Sequence, residues 1–481
     1  MLNKNNTETW NLNKIAGFIW FLPILVFIFI IFIGRWSWGL MDDFQLLNQP
    51  GNILERFNFF MKGYGNFGEF KPVYVFYVSF FYPLFENFVQ FFYVFKLGLA
   101  VLSVWIFGHS AYRLTKNKIS ILFVGIITFS FPYFYDTFVY LSSHEILGLI
   151  FTGCAFWVWL NWMDAVDNIT VSTPKIWLNW LWVVFFVFLA AFAKETFLVC
   201  GIAFAGAMFI LAWCSRSKRT GIVFLQSIIL FLIFLSYGCL LKFGVQRSYT
   251  SHYQLNNFTT IASNLSAWIK KDFIVHIPWL LVMFCFFISN FNFWRSFSKQ
   301  MLSGIAAGIL LYICYLLILL PWVTTSYYAA PLGIFFAFVV AMVLTVIWEN
   351  ISLPFKKCLL AIMFLLNATV CWYVIGRENR YQNDTRLLKQ WLIANEKNFR
   401  QGSEIPLWTN AMEAGDAIPG FINLDNVIQL RHFAYSSSLE SIKNSLQGYY
   451  LYSPRFGKIP ADSFGQFEKV FSSRNWILLR K

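Results

Sequence analysis

The feature that most constrains this chain is the recurrence of apolar stretches long enough to cross a hydrocarbon layer. A bilayer core takes about 20 apolar residues per helix, with a range near 17–25. Eleven stretches approach or reach that length: Ile15–Ile33, Phe88–Phe107, Ile119–Tyr135, Ile146–Trp162, Trp177–Ala193, Thr196–Trp213, Gly221–Leu241, Phe273–Ile288, Gly304–Leu320, Ala329–Ile347 and Cys358–Ile375. The eighth is short and carries His276 and Pro278. Val73–Phe85 is apolar but only about a dozen residues long, the length of an interfacial or re-entrant helix. Charged residues make up 12% of the chain, against about 25% in ordinary soluble domains. A soluble enzyme, a nucleic-acid binder and a disordered scaffold are thereby excluded, and the sequence predicts an all-α polytopic membrane bundle of about eleven transmembrane helices.

The net charge of +14 sits in the breaks between the apolar stretches. Arg113, Lys116 and Lys118 follow the second stretch, Arg216, Lys218 and Arg219 the sixth, Arg295 and Lys299 the eighth, and Lys356 and Lys357 the tenth. With a cytoplasmic N-terminus, all four clusters fall on the cytoplasmic side, as the positive-inside bias requires. The connection Met163–Ile176 fits less well, because Asp164 and Asp167 oppose Lys175. The first stretch ends without a small-residue cleavage site, so it is expected to stay as a membrane helix. The eight cysteines lie in or beside apolar stretches with no CxxC spacing, and read as small buried hydrophobes.

This orientation puts on the outer side a first loop (Gly34–Pro72), tips near Asp136–Glu145 and Lys194–Glu195, a middle loop (Lys242–Asp272), and a tail from Arg377 to Lys481. The division is a transmembrane domain over 1–376 and a small α/β extracytoplasmic domain over 377–481. In the tail, Asn379–Phe399 has helical spacing, while Ile405–Trp408, Val427–Leu430 and Trp476–Leu479 read as short strands.

The candidate chemistry lies in those outer segments. Asp42 and Asp43 stand side by side, and adjacent like charges gain nothing structurally. A carboxylate there can take the proton of an attacking hydroxyl. Glu69 and Lys71, the latter followed by Pro72, lead into the short apolar segment; a lysine can hold a phosphate oxygen as charge builds on a leaving group. His144 and Glu145 open the fourth stretch, and Lys194 and Glu195 occupy a turn too short to leave the membrane surface. Charges so placed line a polar cavity or reach outward to water. Arg247 is a single cation in the middle loop. Gly63 to Gly68 spells GxGxxG, yet it follows no strand and reads as flexible chain. There is no Walker lysine loop, HExxH or DxD, and no metal-ligand spacing, so no cofactor is implied and a metal requirement is left open.

Taken in order, these boxes resemble the GT-C superfamily of membrane glycosyltransferases, which use a polyprenyl-phosphate-linked sugar. The superfamily includes protein O-mannosyltransferases and bacterial aminoarabinose transferases, and the phage-type O-antigen glucosyltransferases are similar in size and plan. The resemblance rests on Asp42 and Asp43 after the first helix, on Glu69, Lys71 and Pro72 before a short helix, on Glu145, and on Lys194 with Glu195. Asp43 stands where protein mannosyltransferases often carry Glu. The resemblance implies Asp42 or Asp43 as catalytic base and Lys71 as a ligand of the donor phosphate. Glu69, His144, Glu145, Lys194, Glu195 and Arg247 would bind substrate. It also implies a bacterial inner-membrane location, an active site facing the periplasm, and a saccharide, lipid or protein acceptor such as lipopolysaccharide or O-antigen. Two other readings stay open: a transporter or flippase of a lipid-linked saccharide, which would place charge near the bilayer midplane in broken helices and related halves, and an O-antigen polymerase or ligase relying on arginines of the middle loop.

Overall fold

The structure is a computed structural model that describes residues 2–36, 51–66, 70–85, 88–141, 143–168, 170–214, 219–243, 258–271, 273–289, 297–320, 326–395, 407–409, 430–432, 449–452, 467–474 and 476–480. The helices in chain order are α1 (Leu2–Ile33), α2 (Ile53–Asn66), α3 (Pro72–Phe85), α4 (Val89–Thr115), α5 (Ile119–Thr128), α6 (Pro132–Val139), α7 (Glu145–Asp167) and α8 (Thr173–Ala193). They continue as α9 (Leu198–Cys214), α10 (Thr220–Phe243), α11 (Phe258–Lys271), α12 (Ile277–Ser289), α13 (Lys299–Leu319), α14 (Ala330–Asn350) and α15 (Leu353–Ala394). Single 3-10 turns at Glu195–Phe197, Phe273–His276 and Ser326–Ala329 precede α9, α12 and α14.

Among the described residues, eight helices are long and apolar enough to cross a membrane, or nine if the bent pair α5–α6 counts as one span; Gly17–Ile33, Pro72–Phe85 and Phe273–Phe284 are shorter apolar helices. Each of the eleven stretches therefore falls on helix. Large apolar side chains such as Phe29, Trp105, Leu181, Trp213, Leu317 and Trp372 are exposed on the bundle. A soluble protein would bury such surface, and a bilayer accepts it. Helix α14 is the central post, with nearly its whole length buried.

The structure corrects four details of the sequence reading. Ile119–Tyr135 is not one straight span: α5 and α6 meet at an 81° bend. Pro132 opens α6; proline lacks the N–H and clashes with the carbonyl four residues back, so the helix restarts in a new direction. The freed groups are met locally, with Ser130 Oγ donating to Ile127 O and Trp279 Nε1 donating to Ser130 Oγ. Second, Gly63, Tyr64, Gly65 and Asn66 are helical, at the end of α2. Third, the helix expected from Asn379 is the continuation of the last membrane stretch in α15. At 1.5 Å per residue its 42 residues run about 63 Å, roughly twice a hydrocarbon core. Fourth, the tail carries two strands that the apolar pattern did not reveal. Its sheet is ordered β2-β1-β3-β5-β4, from β1 (Leu407–Thr409), β2 (Leu430–His432), β3 (Tyr449–Tyr452), β4 (Glu468–Ser472) and β5 (Ile477–Arg480). β1 runs parallel to β2 and β3, and β5 antiparallel to β3 and β4. Trp391 of α15 packs on Phe471 of β4, so the long helix carries the sheet.

The two ends of the bundle differ. At one end α4, α7 and α14 finish and α10, α13 and α15 begin. Arg113 pairs with Asp164, Gln300 donates to the same carboxylate, and Asn117 donates to Glu349. Arg219 donates to the carbonyls of Ala165 and Asn168. The acidic residue that disturbed the charge bias is thus the partner of a basic one. At the other end α3, α4 and α7 begin and α8 and α13 finish.

Glycines set the closest approaches. A Cβ on Gly148 would lie 2.3 Å from the Phe197 ring, whereas nothing lies within 4 Å of one on Gly98. In an exposed helical position alanine is favoured over glycine by about 0.5–1 kcal/mol, while overpacking costs about 1–3 kcal/mol. We therefore expect Gly98→Ala to hold or raise the thermal midpoint of the purified protein and Gly148→Ala to lower it. Equal midpoints would show that Gly148 is not a packing point.

Candidate functional site

Three segments far apart in sequence converge where α3 and α7 begin and α8 ends. The first is Lys71, the residue before α3, which is 2% exposed. Pro72 is well placed as the first residue of a helix, because its missing N–H would have had no partner there. The second is the turn from α6 to α7, which brings His144 and Glu145; Glu145 is fully buried at the first position of α7. The helix N-terminus, with its unsatisfied N–H groups, favours a carboxylate at that place. The third is the break between α8 and α9. Lys194 has extended backbone (φ −156°, ψ 126°) and ends α8, and Glu195 opens the 3-10 turn. Helices α7 and α8 form an antiparallel hairpin packed along its length, so the start of one lies beside the end of the other.

The charges alternate. Lys71 Nζ lies 3.9 Å from Glu195 Oε2, and Lys194 Nζ lies 4.0 Å from Glu145 Oε1. His144 Nε2 lies 3.8 Å from the same Glu145 oxygen. A charge-assisted hydrogen bond spans about 2.7–2.9 Å, so these are ion pairs across a gap. Glu145 Oε2 accepts from Ser143 Oγ at 3.0 Å, while Glu145 Oε1 and Glu195 Oε1 accept no hydrogen bond from the described residues. Both ammonium groups face rings, Lys71 over Tyr64 of α2 at 5.1 Å and Lys194 over Tyr328 at 4.7 Å. Such contacts hold a cation in place without neutralising it. The Tyr74 ring lies 4.7 Å from that of His144, tying α3 to the α6–α7 turn. Tyr315 of α13 is fully buried and its hydroxyl is 3.2 Å from Thr196 Oγ1.

Of the residues expected to carry chemistry, the structure brings Lys71, His144, Glu145, Lys194 and Glu195 together. Asp42, Asp43, Glu69 and Arg247 lie outside the described residues. The chain enters the segment bearing Asp42 and Asp43 from a pinned point. Trp36 is buried, its indole N–H donates to Asn379 of α15, and its carbonyl accepts from Gln90. Tyr64, Tyr74, Tyr315 and Tyr328 were not foreseen, because in a chain this aromatic no pattern sets site tyrosines apart from packing ones. Lys96 was missed although it did leave a signal: a lone lysine inside the apolar stretch Phe88–Phe107, where an ionisable residue is expensive and functional by default.

A second charged group lies on the same side of the bundle. Asp136 of α6 is buried and pairs with Arg377 of α15, which also pairs with Glu378. Arg377 lies about 36 Å from the start of α15, at 1.5 Å per residue, a little more than one hydrocarbon thickness. A recess lined by Trp162, Asp167, Leu211, Thr220, Lys299 and Gln300 belongs to the opposite end and holds none of the expected site residues. Among the described residues no group of three or more His, Cys, Asp or Glu side chains could hold a metal ion.

If Lys194 and Glu145 stabilise each other, removing both should be milder than the two single losses combined. Neighbouring side chains typically couple by about 0.5–3 kcal/mol. We expect Lys194→Met and Glu145→Gln each to lower the midpoint of unfolding, and the double variant to recover that coupling in a double-mutant cycle. Strict additivity would mean that the two charges do not interact.

No family model matches the chain, and no curated protein matches it. It is similar to two crystal structures of ArnT from Cupriavidus metallidurans, one bound to undecaprenyl phosphate and one in the apo state. Each is 10% identical, with 95% of this chain and 97% of that chain covered, at TM-scores of 0.47 and 0.48.

Proposed function

We propose that this chain is a multi-pass membrane glycosyltransferase that moves a sugar from a polyprenyl-phosphate carrier to an acceptor at the outer face of the membrane. One observation carries the proposal: buried Lys71, Glu145 and Lys194 and partly buried Glu195, drawn from three distant segments, meet as alternating charges at one end of an apolar bundle. Nucleotide sugars do not reach the outer face, so a transferase working there takes a donor that arrives in the lipid. A site at the end of a helical bundle meets the head of such a donor while its tail stays among the exposed apolar side chains.

In the proposed reaction an acceptor hydroxyl attacks C1 of the sugar. The bond from C1 to the phosphate oxygen breaks with inversion, and polyprenyl phosphate leaves with the bonding electrons. Asp42 or Asp43 takes the hydroxyl proton. Lys71 holds the phosphate oxygen on which charge builds, and its burial strengthens that interaction relative to water. Glu145 and Glu195 each have a carboxylate oxygen that accepts nothing from the described residues. They are suited to accept hydrogen bonds from sugar hydroxyls, while Lys194 and His144 lie beside Glu145 and aim it. The C-terminal segment from Arg377 onward would form an outer domain beside this mouth, and Glu69 and Arg247 would complete the substrate contacts.

A transporter reading gains something from the bend between α5 and α6. It loses more from the placement of charge. Lys96 is about 10 Å from the start of α4, at 1.5 Å per residue, and among the described residues Lys71, Glu145 and Lys194 gather at the same end of the bundle.

Two experiments test the proposal. Mass spectrometry of envelope glycans and lipids, with and without the gene, should reveal a sugar present only when the gene is. Removing one preorganised electrostatic group typically costs about 10²–10³ in kcat. Lys71→Met should lose transfer on that scale while remaining folded, and at least one of Asp42→Asn and Asp43→Asn should be folded and inactive. Full transfer by both Asn variants would remove the proposed base, and unchanged envelope saccharides would remove the activity.

A further inference from the structure

Lys96 is 1% exposed and lies in the second turn of α4, between Phe95 and Leu97. The site as described above does not use it. Its Nζ donates to the carbonyl oxygens of Tyr140 at 2.9 Å, Leu141 at 2.9 Å and Ser143 at 2.8 Å. These carbonyls belong to one turn, the link from α6 to α7. An ammonium group has three N–H donors, and here all three have carbonyl partners converging from a single stretch of backbone. Tyr140 is the C-cap of α6, where helix carbonyls carry partial negative charge. The ammonium therefore binds the turn much as a bound cation would.

The same turn delivers the site. Ser143, whose carbonyl Lys96 holds, turns its hydroxyl to Glu145 Oε2. His144 follows and lies against Tyr74, and Glu145 follows with its other oxygen toward Lys194. Glu145 comes five positions after the C-cap of α6, and Lys96 restrains three carbonyls of that link, those of Tyr140, Leu141 and Ser143. An uncharged polar side chain would have fewer donors, and an apolar one would take this donor from all three carbonyls, Tyr140 O keeping the Ser143 N–H, at a cost to the geometry of the turn.

We propose that Lys96 is a positioning residue: by gathering the carbonyls of Tyr140, Leu141 and Ser143 it fixes the turn that aims Glu145 into the donor site. The effect on transfer rests on the proposed function; the restraint on the turn does not. Arginine should not substitute, because its flat, forked guanidinium does not reproduce three donors converging from one nitrogen. Glutamine retains two N–H donors and should be intermediate.

The test uses the full-length protein in lipid nanodiscs, as wild type and as Lys96→Met, Lys96→Gln and Lys96→Arg. Hydrogen–deuterium exchange is followed over peptides covering residues 140–148 and over control peptides from α14. Steady-state transfer is measured with the polyprenyl-phosphate donor varied. In Lys96→Met the 140–148 amides should exchange at least tenfold faster while α14 is unchanged, and kcat should fall tenfold or more with the donor KM within threefold. Lys96→Gln should lie between Met and wild type in both measurements, and it carries the test if the Met variant does not fold. Unchanged exchange over 140–148 in a folded variant, or acceleration spread evenly over all peptides, overturns the proposal. Were the wild type to transfer no sugar, the function proposed above would fall, and the exchange data alone would still decide whether Lys96 holds the turn.

Discussion

A charge inside an apolar bundle must find its partners in the protein, because neither lipid nor packed side chains will solvate it. The rest of this structure depends on how that demand is met. The buried charges are not scattered along the helices. Lys71 faces Glu195, Lys194 faces Glu145, Asp136 faces Arg377, and Lys96 faces three carbonyls. Lys71, Glu145, Lys194 and Glu195 sit where helices begin or end, and Lys96 reaches the turn between α6 and α7 from within α4; such places are where backbone groups are also left to be satisfied.

That clustering gives the two ends of the bundle different characters. At the opposite end Arg113, Asp164, Gln300 and Arg219 interlock as a shell of side chain and backbone contacts, with Asp164 largely exposed. They close the bundle and leave the Arg113–Asp164 pair in contact with solvent, where it contributes little. At the site end the Lys194–Glu145 pair is buried, the Lys71–Glu195 pair is buried on its lysine side, and both stand apart by more than a hydrogen bond. Such pairs hold strong, oriented fields in a region of low dielectric, a condition that suits a reaction in which charge moves from a hydroxyl to a phosphate.

The bend at Pro132 links these features. It turns the chain by 81°, and the residues that follow α6 present the carbonyls of Tyr140 and Leu141 to Lys96. Helix α15 then crosses behind it, touching Asp136 through Arg377, Trp36 through Asn379 and Tyr93 through Gln382. One rigid helix thereby contacts the origin of the first loop, the bent helix and, at its far end, the sheet of the tail. No single contact is large, yet together they tie α15 to the end of α1, to α4 and to the bent helix that leads into the turn before Glu145.

The number of apolar helices, their approximate bounds and the segregation of basic residues to one end were legible in the sequence, because a hydrocarbon layer imposes a length and a polarity that any single segment must satisfy by itself. So were Lys71, His144, Glu145, Lys194 and Glu195, since a charge between closely spaced apolar stretches is conspicuous. What the sequence did not reveal is which charge meets which. Those pairings join residues 71 and 195, 96 and 143, and 136 and 377, and no local pattern encodes a contact over such separations. The same holds for Tyr315 and Tyr328, which look like packing aromatics until α13 and α14 are brought beside the α8–α9 turn. Length and polarity are local properties of a chain; the partner of a buried charge is settled only when helices pack.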